Sequence, residues 1–373
     1  MPARTPAKEV KKWLKRISFF LLVILAVFGV LIFVDYVDYQ QLTSSRTPNL
    51  AIIKSDWPGN PLDQEGRFMN GEFPFLPKLT EMIRWRLSGN PFEAEKRSDT
   101  DRIEVRDPSE FLASNRDGIL WLGHASMFIR IGGVSILIDP VFGEPTFLKR
   151  LVPVESPLEK IKALDFVLLS HDHRDHMDEA TLRSIAQIFP DAKFLAGIGS
   201  EELLSEWTGS ERVETAGWFQ KFFKTAGDAV SIYFLPVRHW SRRGLFDTNE
   251  RLWGGYVIES GDARIYFGGD SGYGRHYREV AEIFPDLDYF IIGIGAYEPR
   301  WFMEPNHNSP ADALKAFADS GARYMIPMHH STFDLSDEPP NKPLRVLREA
   351  ATAAEIADHR LTVLPINGEL DIE

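Results

Sequence analysis

The chain has 373 residues, 44% of them hydrophobic, 26% charged and 12% aromatic, enough for two ordinary domains or one large one and too apolar for a disordered chain. It has no cysteine, which excludes a disulfide framework, a thiolate zinc finger, an iron–sulfur cluster and a cysteine nucleophile, so any metal must be held by His, Asp or Glu. The net charge of −12 combines +5 over residues 1–34 with −17 over the rest; that acidic body lacks the basic footprint of a nucleic-acid binder and excludes nucleic acid as a partner.

Residues 1–16 form a basic tail. From Ile17 to Val34 there are 18 residues without a charge, which as a helix would reach about 27 Å, close to the hydrocarbon thickness of a bilayer. Lys and Arg in front and Asp35 and Asp38 behind predict a single-pass signal anchor. Its N-terminus would be cytoplasmic and the catalytic body extracytoplasmic, on the periplasmic side. A buried core helix and a cleaved signal peptide compete with this reading, but DYVDYQQ, after Val34, offers no small-x-small cleavage site.

Residues 35–117 read as a tether and N-terminal cap. The stretch to about 72 is rich in Asn, Pro, Gly and charge. After it Phe75, Leu76, Leu79, Met82 and Ile83 recur at helical spacing until Gly89 and Pro91. This amphipathic helix serves either as a cap on the core or as a lipid-facing entrance.

Residues 118–373 form the catalytic domain. Ile119–Leu122, Met127–Ile131 and Val134–Ile138 make a meander, the last two joined at Gly132-Gly133. Further strands are predicted at Phe166–Leu169, Phe194–Ala196, Ser231–Leu235, Tyr256–Glu259, Arg264–Phe267, Tyr289–Ile292 and Tyr324–Ile326. Helices are predicted at Asp178–Ile188, Ser200–Trp207, His276–Phe284, Pro310–Asp319 and Leu344–Ala354. Early strands are antiparallel and later ones alternate with helices, giving helices outside two mixed sheets.

The chemistry concentrates at strand ends. SHDHRDHMDE places His171, His173, Asp175 and His176 directly after a strand, and only ten histidines exist in the chain. Imidazole and carboxylate at this density are donors for zinc and related divalent metals. His239, Asp270 and either His329 or His330 follow other strands, and strand ends gather at one edge of a layered fold. Together these donors suffice for two metals.

These residues resemble the metallo-β-lactamase superfamily, whose HxHxDH signature is matched by His171, His173, Asp175 and His176. Within it the chain is most similar to the N-acylphosphatidylethanolamine-hydrolysing phospholipase D group. That similarity rests on GRFMN (66–70), WLGHAS (121–126), LIDPVF (137–142), RHW and LWGG (238–255), FGGDSGY (267–273), GAYEPRWFM (295–303) and MHHSTF (328–333). The resemblance implies an αββα sandwich, an α+β fold, behind a transmembrane helix, with two divalent ions, zinc in that group. One ion would be held by His171, His173 and His239, the other by Asp175, His176 and His329, with Asp270 bridging. His329 is chosen over His330 because Thr332-Phe333 sets the register of the group's His-Trp-Gly-Thr-Phe pattern. His330 and Ser331 depart from it, which puts the pocket wall and substrate choice in doubt. Asp175, Asp270 and His307 form the implied catalytic set, His307 beside the substrate phosphate. His124 and Asp139 would orient ligands by hydrogen bonding, with local turn capping as the alternative. Arg242 and Arg243 could meet an anionic headgroup, but a solvated loop is the expected role.

The implied substrate is a phospholipid, cleaved to phosphatidic acid and an N-acylethanolamine. A soluble lactone or sugar phosphate is the competing substrate class, and a membrane-tethered binding protein the non-enzymatic reading. The group includes homodimers, so pairing with a second copy is an expectation.

Overall fold

In the computed structural model the described residues are 11–22, 43–70, 72–145, 148–222, 229–261 and 263–372. They fall into two compact units, one holding 11–22 and 76–89, the other 43–75 and everything from residue 90 on.

In the first unit, 11–22 are helical. Among the described residues no helix is long and apolar enough to cross a membrane, which overturns the expected signal anchor and the periplasmic placement built on it. The described part of this helix carries Lys11, Lys12, Lys15 and Arg16 ahead of Ile17–Leu22. The remainder of the expected span, 23–34, lies outside the described residues, as does most of the basic tail. The second helix, Leu79–Leu87, starts later than its apolar spacing suggests, because Pro77 disfavours helical backbone at Leu76. Glu81 in its first turn and Arg84 and Arg86 in its last complement the helix dipole.

The second unit is built on two seven-stranded sheets. In chain order the strands are β1 (Thr43–Ser45), β2 (Ala51–Ile52), β3 (Asn60–Leu62), β4 (Gly118–Trp121), β5 (Met127–Ile131), β6 (Val134–Ile138), β7 (Phe166–Leu168) and β8 (Lys193–Gly197). There follow β9 (Val213–Ala216), β10 (Gln220–Lys221), β11 (Ser231–Leu235), β12 (Gly255–Ser260), β13 (Ala263–Phe267), β14 (Tyr289–Gly293), β15 (Tyr324–Met328) and β16 (Gly368–Asp371). One sheet runs β16-β4-β5-β6-β7-β8-β9, the other β15-β14-β13-β12-β11-β10-β2, and β1 pairs with β3.

The inner strands β4 to β8 of the first sheet are buried on both faces, so they read as apolar runs with few polar breaks rather than as alternating ones. The period-2 geometry of a strand still sorts them. Ile119, Trp121, Met127, Ile129, Ile136, Ile138 and Leu168 face the central core shared with the second sheet. Leu120, Phe128, Leu137 and Val167 face outward onto Leu182, Ile185, Leu204 and Trp207 of the helices Glu179–Ile188 and Glu201–Thr208. The second sheet is covered likewise by Tyr277, Val280, Ala313, Phe317 and Leu347 of the helices His276–Ile283, Pro310–Ser320 and Lys342–Ala353. At about 1.5–3 kcal/mol for each large apolar side chain buried, these two clusters carry the fold.

Helix starts are set by local chemistry. Asp178 accepts from the N–H of Thr181 at 3.0 Å, and Ser309 and Asp312 form a reciprocal capping box ahead of Pro310. Strand β15 runs through Pro327, which the sequence pattern placed beyond its end; β15 lies at the edge of its sheet, where a missing N–H is tolerated.

Strand direction positions the site. β6 and β7 are parallel, and β4, two antiparallel steps from β6, runs the same way. In the other sheet β13, β14 and β15 are parallel, and β11 matches them through β12. The C-terminal ends of β4, β6 and β7 therefore share one edge of the first sheet, and those of β11, β13 and β15 one edge of the second.

Candidate metal centre

From those edges come His124 after β4, Asp139 after β6, the segment 171–176 after β7, His239 after β11, Asp270 after β13 and His329 after β15. His307 joins them from the loop between the helices Arg300–Met303 and Pro310–Ser320. His124, Asp139 and His329 have φ of +55°, +43° and +61°, a left-handed backbone uncommon for residues with a Cβ and concentrated in functional sites.

His171, His173 and His239 form one group of donors. Nδ1 of His173 lies 2.9 Å from Nε2 of His171 and 3.1 Å from Nε2 of His239. The far nitrogens show which atoms hold lone pairs. Nδ1 of His239 donates to the carbonyl of Asn306 at 3.1 Å, and Nδ1 of His171 to Ser170 Oγ at 2.9 Å. Ser170 Oγ donates in turn to Asp139 Oδ2 at 2.6 Å. Both Nε2 atoms are thus left as acceptors facing a third imidazole nitrogen. Burial, then the neighbouring histidines, hold His171 and His239 well below the ordinary imidazole pKa, and burial lowers His173 to about 4. Neutral imidazoles converging this closely fit a divalent cation, and one proton cannot satisfy all of them.

Asp175, His176 and His329 gather next to them, with His124. Asp270 sits centrally: its Oδ2 is 3.1 Å from Nε2 of His176, 3.2 Å from Nε2 of His329 and 4.0 Å from Nε2 of His239. Its Oδ1 is buried and has no hydrogen-bond partner among the described residues. Burial works against charge here, yet Asp270 and Asp175 outweigh it and raise His176 well above its ordinary value and His329 to about 9. Burial likewise opposes the charge on Asp270, but His176 and His329 hold its pKa well below the carboxylate range. Two carboxylates balanced by two imidazolium groups mark a place where a divalent cation can take over the positive charge, releasing those protons.

The supporting residues are legible too. Nδ1 of His176 donates to Asp139 Oδ2 at 2.8 Å, and His124 Nε2 lies 3.0 Å from Asp175 Oδ2. His307 Nδ1 is 3.8 Å from Asp270 Oδ2, and burial lowers its pKa to about 4. His330 turns away, stacking 4.9 Å from Trp121 with Nδ1 3.0 Å from Ser331 Oγ, while its neighbour His329 faces the carboxylates.

Several placements differ from the sequence expectation. Arg243, expected on a solvated loop, donates to the carbonyls of Asp172 and Met177. His276, the first residue of a predicted helix, is buried against Ser271 Oγ at 3.1 Å. Ser170 and Asn306 precede His171 and His307, but single polar residues beside a motif carry no periodic signal. Gly295 opens the GAYEPRWFM run. A Cβ there would lie 2.1 Å from the carbonyl oxygen of His329, and backbone cannot step aside cheaply. Gly295→Ala is expected to cost about 1–3 kcal/mol of stability and to weaken metal binding by displacing His329. Urea unfolding together with chelator competition checks both; wild-type values in each would show that the strand end accommodates the methyl group.

Comparison with known proteins agrees with this geometry. A family model described as the β-lactamase superfamily domain matches residues 135–330. Over 279 residues the chain is 33% identical to an N-acyl-phosphatidylethanolamine-hydrolyzing phospholipase D from Caenorhabditis elegans, covering 71% of this chain and 78% of that protein. Among solved structures, the metallo hydrolase Igni18 from Ignicoccus hospitalis aligns with a TM-score of 0.53 at 20% identity, covering 69% of this chain and 98% of that one. An isothiocyanate hydrolase from Delia radicum gut bacteria aligns at 0.54 and 17%, covering 69% and 99%. At these identities the structures speak for the fold alone. With the family model spanning half the chain and a one-third identical relative covered over most of its length, this protein belongs to the metallo-β-lactamase superfamily and is a metal-dependent hydrolase.

Proposed function

We propose that the chain is a phosphodiesterase of the phospholipase D type, acting on an N-acylphosphatidylethanolamine with two divalent ions, zinc in the first place. The observation that carries this reading is the 33% identity to the C. elegans phospholipase over most of both chains. The surroundings of the site support a substrate with apolar tails. Trp240 packs 4.6 Å from His173, with Phe75 6.3 Å from Trp240 on its other side. A few residues along the same loop, Leu245 and Phe246 are 84% and 92% exposed.

In this reading His171, His173 and His239 would hold one ion and Asp175, His176 and His329 the other, with Asp270 placed between the two groups of donors. Bound there, divalent ions lower the pKa of water toward neutrality and draw charge from phosphoryl oxygens. Asp270 Oδ1, buried without a partner, accepts a hydrogen bond from the attacking water and directs its free lone pair at phosphorus. His307, at the rim of the donor set, hydrogen-bonds a phosphoryl oxygen and holds the phosphate in line. The oxygen–phosphorus bond to the N-acylethanolamine breaks, that alcohol leaves with a proton, and phosphatidic acid remains.

The test is a turnover comparison on metal-analysed protein with detergent-dispersed N-acylphosphatidylethanolamine, a soluble phosphodiester and a lactone. Release of N-acylethanolamine at a kcat/KM well above the lactone's is expected. Efficient lactone opening with no cleavage of either diester would overturn the proposal.

A further inference from the structure

The donors of the His171, His173 and His239 group come from two different sheets. His171 and His173 follow β7 in one, and His239 follows β11 in the other. Their separation across the seam is therefore set by whatever ties the two loops together. The segment from His239 to Arg251 supplies that tie. Nη1 of Arg243 donates to the carbonyl oxygen of Asp172 at 3.3 Å, between His171 and His173, and to that of Met177, next to His176. Nη1 of Arg251 pairs with the carboxylate of Asp172 at 2.9 Å and with Asp247 at 2.8 Å. Asp172, fully buried and lying between His171 and His173, is thus gripped by backbone and side chain at once.

The gripping loop is itself braced. Asp247 Oδ1 accepts from the N–H groups of Arg243 and Gly244 at 3.2 and 2.7 Å. Asn249 exchanges hydrogen bonds with Ser241, at 2.8 and 3.1 Å. The Arg243 guanidinium lies 4.5 Å from the ring of Trp207, on the helix that flanks the first sheet. A guanidinium suits this work because it stays charged and presents several donors in a rigid plane. The other group of donors is braced differently, through Asp139 on His176 and His124 on Asp175.

We infer that Arg243 and Arg251 are positioning residues that set the spacing between His239 and the His171–His173 pair, and so govern occupancy of that metal site more strongly than of the other, which only the Met177 contact adjoins. The inference rests on the two-metal reading above. It is tested on the full chain by chelator competition for zinc and by the absorption spectrum of the cobalt-substituted protein, with thermal unfolding alongside. Arg243→Ala is expected to weaken that site by about 10–100-fold and the other by clearly less, and to alter one cobalt band set more than the other. Arg243→Lys keeps a cationic donor at the same place and should recover part of the loss, which a mere packing defect at Trp207 would not. Should Arg243→Ala fail to fold, Arg251→Lys, which loses the planar fork but keeps the charge, is expected to weaken the same site. Two sites of wild-type affinity and spectrum in the folded variants, or equal loss at both, overturns the inference. Wild-type protein that takes up no metal would instead refute the two-metal reading itself.

Discussion

Asp270→Ala is expected to lower hydrolysis of a soluble phosphodiester by roughly a thousandfold or more while leaving the fold intact. The size follows from what the side chain faces. Among the described residues Asp270 is the one carboxylate within 4.0 Å of histidines from both donor groups, so its removal opens both sites to water at once. Losing several kcal/mol of charge stabilisation corresponds to three or more decades in rate. The fold should survive because the residue follows β13 rather than lying in it, and neither apolar cluster includes it. Without the carboxylate, His176 and His329 lose one of the two acids that raise their pKa, so less charge is left to hold in the buried site. Asp270→Asn separates charge from shape: it keeps the size of the side chain and should be nearly as inactive. Circular dichroism melting and steady-state assays check both halves; turnover within tenfold of the wild type in the alanine variant would refute the central place given to Asp270.

How much of this was legible in the sequence depends on the range of the interaction involved. The strands β4 to β8 and β11 to β15 announce themselves through short apolar runs, since burial on both faces leaves little room for polar residues. The helix starts at Glu179 and Pro310 announce themselves through Asp178 and Ser309, whose caps act over three residues. The clustering of His171, His173, Asp175 and His176 after a strand pointed to the edge where the structure gathers His239, Asp270 and His329. Strand β16 was not visible: Gly368–Asp371 is largely polar, and it pairs with β4 about 250 positions away, a contact no local pattern encodes. Strands β9 and β10 are short and mixed in polarity for the same reason. Arg243 shows the limit most directly. An arginine in a Gly-containing loop beside another arginine reads as solvated, and only the fold brings it under the carbonyls of Asp172 and Met177. The apolar run from Ile17 is a hydropathy signal alone, and no helix among the described residues is long and apolar enough to cross a membrane.

The second large effect is expected at Asp139, which touches no substrate and, in the assignment above, binds no metal. Its carboxylate is fully buried and accepts three hydrogen bonds: from the N–H of Ser170 at 2.7 Å, from Ser170 Oγ at 2.6 Å and from His176 Nδ1 at 2.8 Å. Burial pushes its pKa up, and His176 and Ser170 pull it back. Asp139→Ala leaves three buried donors without an acceptor and places alanine at a φ of +43°. At about 1–3 kcal/mol for each unsatisfied group and a further ~1 kcal/mol for the left-handed backbone, the loss approaches the whole stability of an ordinary domain. The variant is therefore expected to be largely unfolded or insoluble. Asp139→Asn is the sharper experiment. Asparagine tolerates the left-handed backbone, and its carbonyl can still accept from the N–H of Ser170, so the fold should persist with a loss of about 1–3 kcal/mol. Its amide nitrogen, however, brings hydrogens to where Ser170 Oγ and His176 Nδ1 also point theirs. As a metal ligand imidazole 176 would be neutral with its one proton on Nδ1; that clash favours the tautomer with the proton on Nε2, the nitrogen facing Asp270, and a protonated Nε2 has no lone pair for a metal. Zinc affinity at the site of Asp175, His176 and His329 should then fall by about 10–100-fold, with the larger share of the effect on metal binding rather than on unfolding. Chelator competition set beside urea denaturation measures the two separately. A folded asparagine variant that binds zinc as tightly as the wild type would mean that Asp139 braces the β6 loop alone and leaves the tautomer of His176 to other forces.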